Sequence, residues 1–180
     1  VQCGSLVYSI GYRHPAVLAK AITAIDLLSD GRAQMGIGAG WAKVEYDAYG
    51  IEFPDVRTRM DQLEEGIQCL RGLLHDDLTT FEGRYFQLHQ ARNEPRPLQR
   101  KLPIWVGGSS PAALRRAAER GDGWLASGPP EGGLSAGIAR LRELRERAGR
   151  ADEPFTVGAL SGPLYVGEPR WDIGRAVHGS

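Results

Sequence analysis

The sequence predicts an α/β fold in which parallel strands alternate with helices. Two observations predict it: short apolar segments typical of strands, and between most of them longer segments with an apolar residue every three or four positions. Such alternation is typical of parallel β-α-β units. The predicted strands are residues 5–10, 33–38, 103–107, 123–127 and 155–160.

The first helix is predicted to begin at Pro15, whose fixed φ suits a first helical turn and whose missing N–H has no partner there. His14, just before it, is interpreted as a residue that makes a hydrogen bond at the helix end. Gly31 stands where a left-handed residue would end the helix. The expected apolar face comprises Leu18, Ile22, Ile25 and Leu28 or one of its neighbours.

A second amphipathic helix is predicted over residues 56–74, and a β-hairpin over 78–88 follows it. The apolar stripe of this helix comprises Met60, Leu63, Ile67, Leu70 and Leu74. The hairpin is expected to turn at Glu82–Gly83, with Tyr85 and Phe86 on opposite faces of the ribbon. Because insertions at the ends of barrel strands often cover sites, we expect it to form part of a substrate rim.

The segment VGGSSPAALRR, residues 106–116, is the strongest local signal of a binding site. Gly107 and Gly108 allow close approach to the backbone, Ser110 can cap a helix, and Pro111 suits its first position. The N–H groups at a helix start can bind an anion such as a cofactor phosphate. A tight strand-to-helix turn with its cap explains the same residues equally well. A last helix is predicted from about residue 133.

Glycine alternates with other residues at Gly36, Gly38 and Gly40, although such a pattern weakens a strand. It is not the dinucleotide-binding G-x-G-x-x-G pattern, because Trp41 stands where the last glycine would be. Either the interior is crowded there, or the backbone runs under a flat ring. Trp41, Tyr46 and Tyr49 are expected to be core or interface aromatics, Trp124 a core residue, and Glu45 a solvated carboxylate.

Composition excludes several classes of protein. The 180 residues carry 22 basic and 22 acidic side chains without a basic stripe, so no nucleic-acid partner is expected. No apolar run is long enough to predict a membrane span. Cys3 and Cys69 are far apart and predict reduced thiols in a cytoplasmic protein. The four histidines lack metal-ligand spacing, so no metal site is expected.

Taken together, these residues resemble the bacterial luciferase-like monooxygenase family, in its subgroup that uses flavin mononucleotide (FMN) or the deazaflavin coenzyme F-420. Four stretches carry the resemblance in the expected order: RHPAVLAKAITAIDLLSDGRAQMGIGAGW, EYDAYGIEFPDVRTRMDQLEEGIQCLRGLL, FEGRYFQL and PIWVGGSSPAALRRAAERGDGW. They lie within about residues 4–128, and the similarity is weaker after residue 150.

The resemblance implies a (β/α)8 barrel whose site lies at the carboxyl ends of the strands. It implies a backbone bulge with a cis peptide around Leu6 and Val7 behind the cofactor ring. The ring and ribityl tail would lie over residues 38–40, and residues 107–109 would bind the phosphate. The implied cofactor-binding residues are Leu6, Val7, Gly38, Ala39, Gly40, Gly107, Gly108 and Ser109. Many relatives have Asn where this chain has Ala42.

About five of the eight barrel strands are predicted, so we expect residues 1–180 to be one barrel domain truncated at both ends. No catalytic residue is assigned. The main hypothesis is an oxidoreductase that acts on a small organic molecule by hydride transfer or oxygen activation, as a homodimer in its full-length form. The alternatives are a shortened, non-catalytic flavin-binding protein and a phosphate-binding barrel enzyme without flavin.

Overall fold

A five-stranded parallel sheet and a separate two-stranded hairpin form the β-structure in a computed structural model that describes residues 1–160. The strands are β1 (Cys3–Ser9), β2 (Ala33–Gly38), β3 (Thr79–Glu82), β4 (Gln87–Ala91), β5 (Ile104–Gly107), β6 (Gly123–Ala126) and β7 (Thr156–Ala159). The helices are α1 (Pro15–Leu28), α2 (Lys43–Tyr49), α3 (Val56–His75), α4 (Pro111–Arg120) and α5 (Gly133–Arg147).

The large sheet has the order β1-β2-β5-β6-β7, and every pair in it is parallel. Each of its strands overlaps one of the five predicted strands, which confirms the α/β class. All five carboxyl ends therefore meet at one edge, which we call the carboxyl edge. The segment predicted as a hairpin lies outside this sheet.

The main core lies between one face of the large sheet and the helices. The buried side chains of β2, β5 and β6 on this face include Met35, Ile37, Ile104, Val106 and Trp124. On α3, Leu63, Ile67, Leu70 and Leu74 are buried as expected, and Met60 is partly buried. Burial of each large apolar side chain contributes about 1.5–3 kcal/mol, so this layer is the main source of stability.

At the end of the predicted apolar face of α1, Leu28 does not take part, whereas its neighbour Leu27 is partly buried. Leu28 is 89% exposed, whereas Asp26 is completely buried. The Asp26 carboxylate accepts hydrogen bonds from the Ala33 N–H at 3.3 Å and from the backbone N–H and side-chain amide of Gln99 at 3.0 and 2.7 Å. These bonds compensate for burial of the charge and join α1 to the start of β2.

Three helices begin at capping side chains. His14 Nδ1 accepts from the Ala16 N–H at 3.1 Å, which confirms its expected hydrogen bond at the helix end. Asp55 caps α3 through the Thr58 N–H at 3.0 Å. Ser110 caps α4 by accepting from the Ala113 N–H at 3.2 Å, with Pro111 in the first helical position as predicted. The strand-to-helix turn after β5 is therefore well defined.

The hairpin of β3 and β4 packs against α3. Its connection is wider than the predicted turn at Glu82–Gly83, because residues 83–86 join the strands and the Gly83 N–H donates to the Phe86 carbonyl at 2.9 Å. Tyr85 and Phe86 both lie in this connection, so their expected placement on opposite faces of the ribbon is wrong. The Glu65 carboxylate accepts the N–H groups of residues 84–86, which fixes the tip to α3.

Helix α2, residues Lys43–Tyr49, was not expected from the sequence. Its N-cap, Ala42, has no side chain that can accept a hydrogen bond, so the usual start signal is missing. Gly50, with φ of 67°, ends the helix in the left-handed conformation. Among residues 1–160, no helix combines the length and apolarity that a membrane span needs.

Candidate cofactor site

The carboxyl edge brings together three segments that the sequence singled out: residues 6–7 of β1, 38–40 after β2, and 107–109 after β5. Ser9 pairs with Gly38 across β1 and β2, and Ile37 pairs with Val106 across β2 and β5. Sites of parallel α/β proteins lie at this edge. The predicted residues thus share one region of the fold.

Strand β1 is irregular where the bulge was expected. The Leu6–Val7 peptide bond is cis, and the register with β2 shifts between Ser5 and Tyr8. Leu6 is 58% exposed, and Val7 is partly buried. The local backbone geometry implied by the family resemblance is therefore confirmed.

The side chain of Val7 explains three of the glycines. A β-carbon would lie 2.8 Å from a Val7 methyl group at Gly36, 2.9 Å at Gly38 and 3.2 Å at Gly107. All three are close enough to require a neighbour to move. These glycines therefore leave room first for Val7, as the crowded-interior hypothesis requires. A flat ring over this region would face Val7 rather than bare glycine backbone.

Gly40 has a different role from its neighbours in the glycine pattern. It adopts φ of 79°, and a β-carbon there would lie 2.6 Å from Ser9 Oγ and 3.0 Å from Tyr46 Cζ. The hydroxyl groups of Ser9 and Tyr46 are hydrogen-bonded to each other beside it. Gly40 thus lets two hydroxyl side chains meet at the carboxyl edge. Ala39, between the glycines, is buried.

The turn after β5 offers backbone rather than side-chain donors. The Ser109 hydroxyl donates to the Gly128 carbonyl at 2.6 Å, and Ser110 is engaged as the helix cap. Within residues 1–160, the N–H groups of Ser109 and Ser110 have no protein acceptor. They precede the positive end of α4, an arrangement that attracts anions. An anion at this turn would therefore be held by backbone N–H groups, as the sequence predicts for a helix start.

An aromatic cluster flanks the Ser9–Tyr46 pair. The Tyr46 ring lies 4.6 Å from that of Tyr12 and 4.8 Å from that of Phe53, centroid to centroid, and the Arg59 guanidinium lies 3.8 Å from the Phe53 centroid. The Tyr12 hydroxyl donates to the Glu45 carboxylate at 2.8 Å. This hydrogen bond is the main reason why the pKa of Tyr12 is raised to about 12.

Tyr46 and Trp124 are core residues as expected, whereas Trp41 and Tyr49 are not part of the core, so for these two only the expected interface role stays a prediction. Tyr46 is 1% exposed, whereas Trp41 is 89% exposed and Tyr49 is also exposed. Sequence reasoning did not single out Ser9, and it treated Tyr46 only as a packing residue. The available signal was indirect: Gly11 and Gly40, far apart in sequence, both leave room for the Tyr46 hydroxyl.

A large cavity lies at the opposite end of the sheet, near Pro103, Asp122 and Thr156 at the amino ends of β5 to β7. Its volume is about 720 Å³. Its charged groups largely neutralise one another: Asp122 lies 3.2 Å from Arg71 and 3.6 Å from Arg150, which also pairs with Glu153 at 2.7 Å. These ion pairs join α3 to the segments that precede β6 and β7, so we do not assign the cofactor to this cavity.

Comparison with known proteins identifies the family. The model of the luciferase-like monooxygenase family matches residues 1–178. An F420-dependent glucose-6-phosphate dehydrogenase of Kineococcus radiotolerans is 36% identical over 155 residues, covering 84% of this chain and 45% of that protein. An FMNH(2)-dependent dimethylsulfone monooxygenase of Pseudomonas fluorescens is 34% identical over 128 residues, covering 71% of this chain and 35% of that protein.

A solved structure of an F420-dependent secondary alcohol dehydrogenase, in complex with an F420-acetone adduct, matches with a TM-score of 0.77 and 25% identity. The match covers 88% of this chain and 48% of that one. This chain thus spans about half the length, or less, of these relatives. Its five-stranded sheet corresponds to part of their barrel, and the chain belongs to the luciferase-like monooxygenase family.

Proposed function

We propose that this chain is the cofactor-binding part of an oxidoreductase that uses coenzyme F-420 or FMN and acts on a small organic substrate. One observation carries the proposal: the bulge at Leu6–Val7 and the turn at Gly107–Ser109 meet at the same edge of the sheet, with Val7 in contact range of Gly107. A flavin-type cofactor needs an apolar platform for its ring and an anion site for its phosphate.

The residues present fit both ends of such a cofactor. Val7 fills the space over Gly36 and Gly38 and leaves Leu6 exposed beside it, which provides an apolar surface for a ring. The backbone N–H groups of Ser109 and Ser110 provide the anion site. Gly108, with φ of 122°, keeps a side chain out of that turn. The ribityl tail would pass residues 38–40 between the two ends.

The cofactor supplies the redox chemistry when bound, either hydride transfer by the deazaflavin or oxygen activation by the reduced flavin. The chain binds and orients it: the apolar surface at Leu6 and Val7 supports the ring, and the turn before α4 holds the phosphate. The group that moves a proton during the reaction is not assigned to any of these residues.

Coenzyme F-420 is the first choice of cofactor. Four relatives named as F420-dependent glucose-6-phosphate dehydrogenases are 33–36% identical to this chain over 69–84% of its length, whereas one relative named for FMNH(2) is 34% identical over 71%. The F420-dependent alcohol dehydrogenase also has the same fold. FMN is the second choice and rests on the dimethylsulfone monooxygenase. A cytoplasmic location and a homodimer of the full-length protein complete the proposal; the free thiols Cys3 and Cys69 agree with a reducing compartment.

The test is a titration of the 180-residue chain with each cofactor, followed by cofactor absorbance and fluorescence and by tryptophan emission. Saturable binding of coenzyme F-420 or FMN is the expected result, and binding of inorganic phosphate alone would favour a phosphate-binding barrel without flavin. Turnover of reduced cofactor by the full-length protein then separates an enzyme from a non-catalytic flavin-binding relative. Absence of binding to both cofactors would contradict the proposal.

A further inference from the structure

We propose that Tyr46 is a positioning residue that fixes the Ser9 hydroxyl as a hydrogen-bond donor to the bound cofactor. The inference rests on the proposed function and assigns a polar contact to a site otherwise built from apolar side chains and backbone. It concerns two residues that the sequence did not mark as binding residues.

Ser9 occupies the right place for such a contact. It is the last residue of β1, follows the Leu6–Val7 bulge by two residues and pairs with Gly38 at the end of β2. Its side chain is only partly buried. Its Oγ lies beside Gly40, on the path proposed for the cofactor between ring and tail.

The hydrogen bond between Tyr46 and Ser9 has a preferred direction. A phenol is a more acidic hydroxyl than that of serine, so Tyr46 is the better donor. Within residues 1–160, Ser9 Oγ has no other hydrogen-bond partner than the Tyr46 hydroxyl. When Tyr46 donates, the Ser9 O–H is left to donate to an acceptor outside the protein, and its rotation is restricted.

The surrounding fold is built to bring these two hydroxyl groups together. A β-carbon at Gly11 would lie 2.6 Å from the Tyr46 hydroxyl, and one at Gly40 would lie 2.6 Å from Ser9 Oγ. Two separate glycines thus make room for one hydrogen bond.

The Tyr46 ring is also held on its sides. Tyr12 and Phe53 contact it, and Arg59, itself buried, lies over Phe53 and donates to the Pro54 carbonyl. The phenol therefore has little freedom to move away from Ser9. Precise placement by a fixed second residue is what orients a binding group.

The test is a double-mutant cycle on cofactor affinity, with Tyr46→Phe, Ser9→Ala and the double variant titrated with coenzyme F-420 and FMN. We expect each single variant to weaken binding by roughly fivefold to tenfold, as loss of one hydrogen bond does. The double variant should be no weaker than Ser9→Ala, because Tyr46 acts through Ser9. Tyr49→Phe, on the same helix and exposed, is the matched control and should bind normally.

If Tyr46→Phe weakens cofactor binding by the same factor in the unaltered chain and in the Ser9→Ala variant, the inference is overturned and Tyr46 is a packing residue. If Tyr46→Phe does not fold, Ser9→Ala and Ser9→Thr decide by themselves: alanine must weaken binding and threonine, which keeps the hydroxyl, must retain most of it. Normal binding by Ser9→Ala would overturn the inference while the proposed function stands. Absence of binding by the unaltered chain would overturn both.

Discussion

The Val7 side chain occupies the space that a β-carbon on Gly36 would need, with Cγ1 2.8 Å from the ideal β-carbon position. The carbonyl oxygen of Ser5 would be even closer, at 2.6 Å. Gly36, the first glycine of β2, is therefore required because the bulge in the neighbouring strand β1 fills the space beside it. Because Val7 also belongs to the candidate cofactor site, a substitution at Gly36 that moves Val7 would affect both the site and the stability of the sheet.

Gly36→Ala is expected to destabilise the fold by about 1–3 kcal/mol, because an added methyl group must displace Val7 or the β1 backbone. The measurement is the free energy of unfolding in urea. Gly128→Ala is the matched control, since nothing lies within 4 Å of its β-carbon position, and it should be neutral or slightly stabilising. Equal stability of Gly36→Ala and the unaltered chain would contradict this packing argument.

Substitutions in the turn before α4 test the phosphate site. Gly108→Leu should weaken cofactor binding at least about tenfold, or about 1.4 kcal/mol, because the side chain blocks approach of the anion. Since φ at Gly108 is 122°, the variant also strains the turn. Ser110→Asp avoids that problem: aspartate still caps the helix, but its charge repels a phosphate.

Ser110→Asn matches the aspartate in size without its charge and should therefore lose much less affinity than Ser110→Asp. Titration with cofactor, with circular dichroism to verify the fold, measures all three variants. Equal affinities of the aspartate and asparagine variants would place the phosphate elsewhere.

The Tyr12–Glu45 hydrogen bond predicts an alkaline titration. The Glu45 carboxylate, which accepts this hydrogen bond, raises the pKa of Tyr12 to about 12 from a usual value near 10.0. Because the folded pKa lies above the unfolded one, the bond stabilises the fold below pH 10 and its contribution is lost as the pH rises towards 12. Glu45→Gln should lower the pKa of Tyr12. The measurement is tyrosinate absorbance against pH, with Tyr12→Phe identifying the signal; ionisation of Tyr12 near pH 10 in the unaltered chain would contradict it.

The parts of the fold that the sequence predicted depend on local signals. Pro15, Ser110 and Pro111 mark helix starts by their own chemistry, and the apolar spacing of α3 reports its buried face. The buried Asp26 could not be found in this way, because its partner Gln99 is distant in the sequence. Helix α2 was missed because Ala42 provides no cap.

The candidate site was predictable only in part, for the same reason. Family resemblance located the bulge at Leu6–Val7 and the turn at residues 107–109. It did not show that Val7 fills the space over the glycines, since that contact depends on how β1 bends. The Ser9–Tyr46 pair joins the end of one strand to a helix that was not expected. Contacts between separate elements thus define the details of the site.

The edges of the large sheet lead to the last prediction. Among residues 1–160, β1 and β7 each pair with a single strand, so within these residues one edge of each strand is unpaired. Leu6 and Val157 expose apolar side chains on these two strands.

We therefore expect the isolated 180-residue chain to associate, which gel filtration would detect as elution before the monomer position. A lysine on an edge strand opposes such pairing, so Val157→Lys should shift elution towards the monomer, whereas Val44→Lys on the exposed side of α2 should not. A monodisperse monomer with a sharp, cooperative melting transition would show that the five-stranded unit is stable alone and that the prediction is wrong.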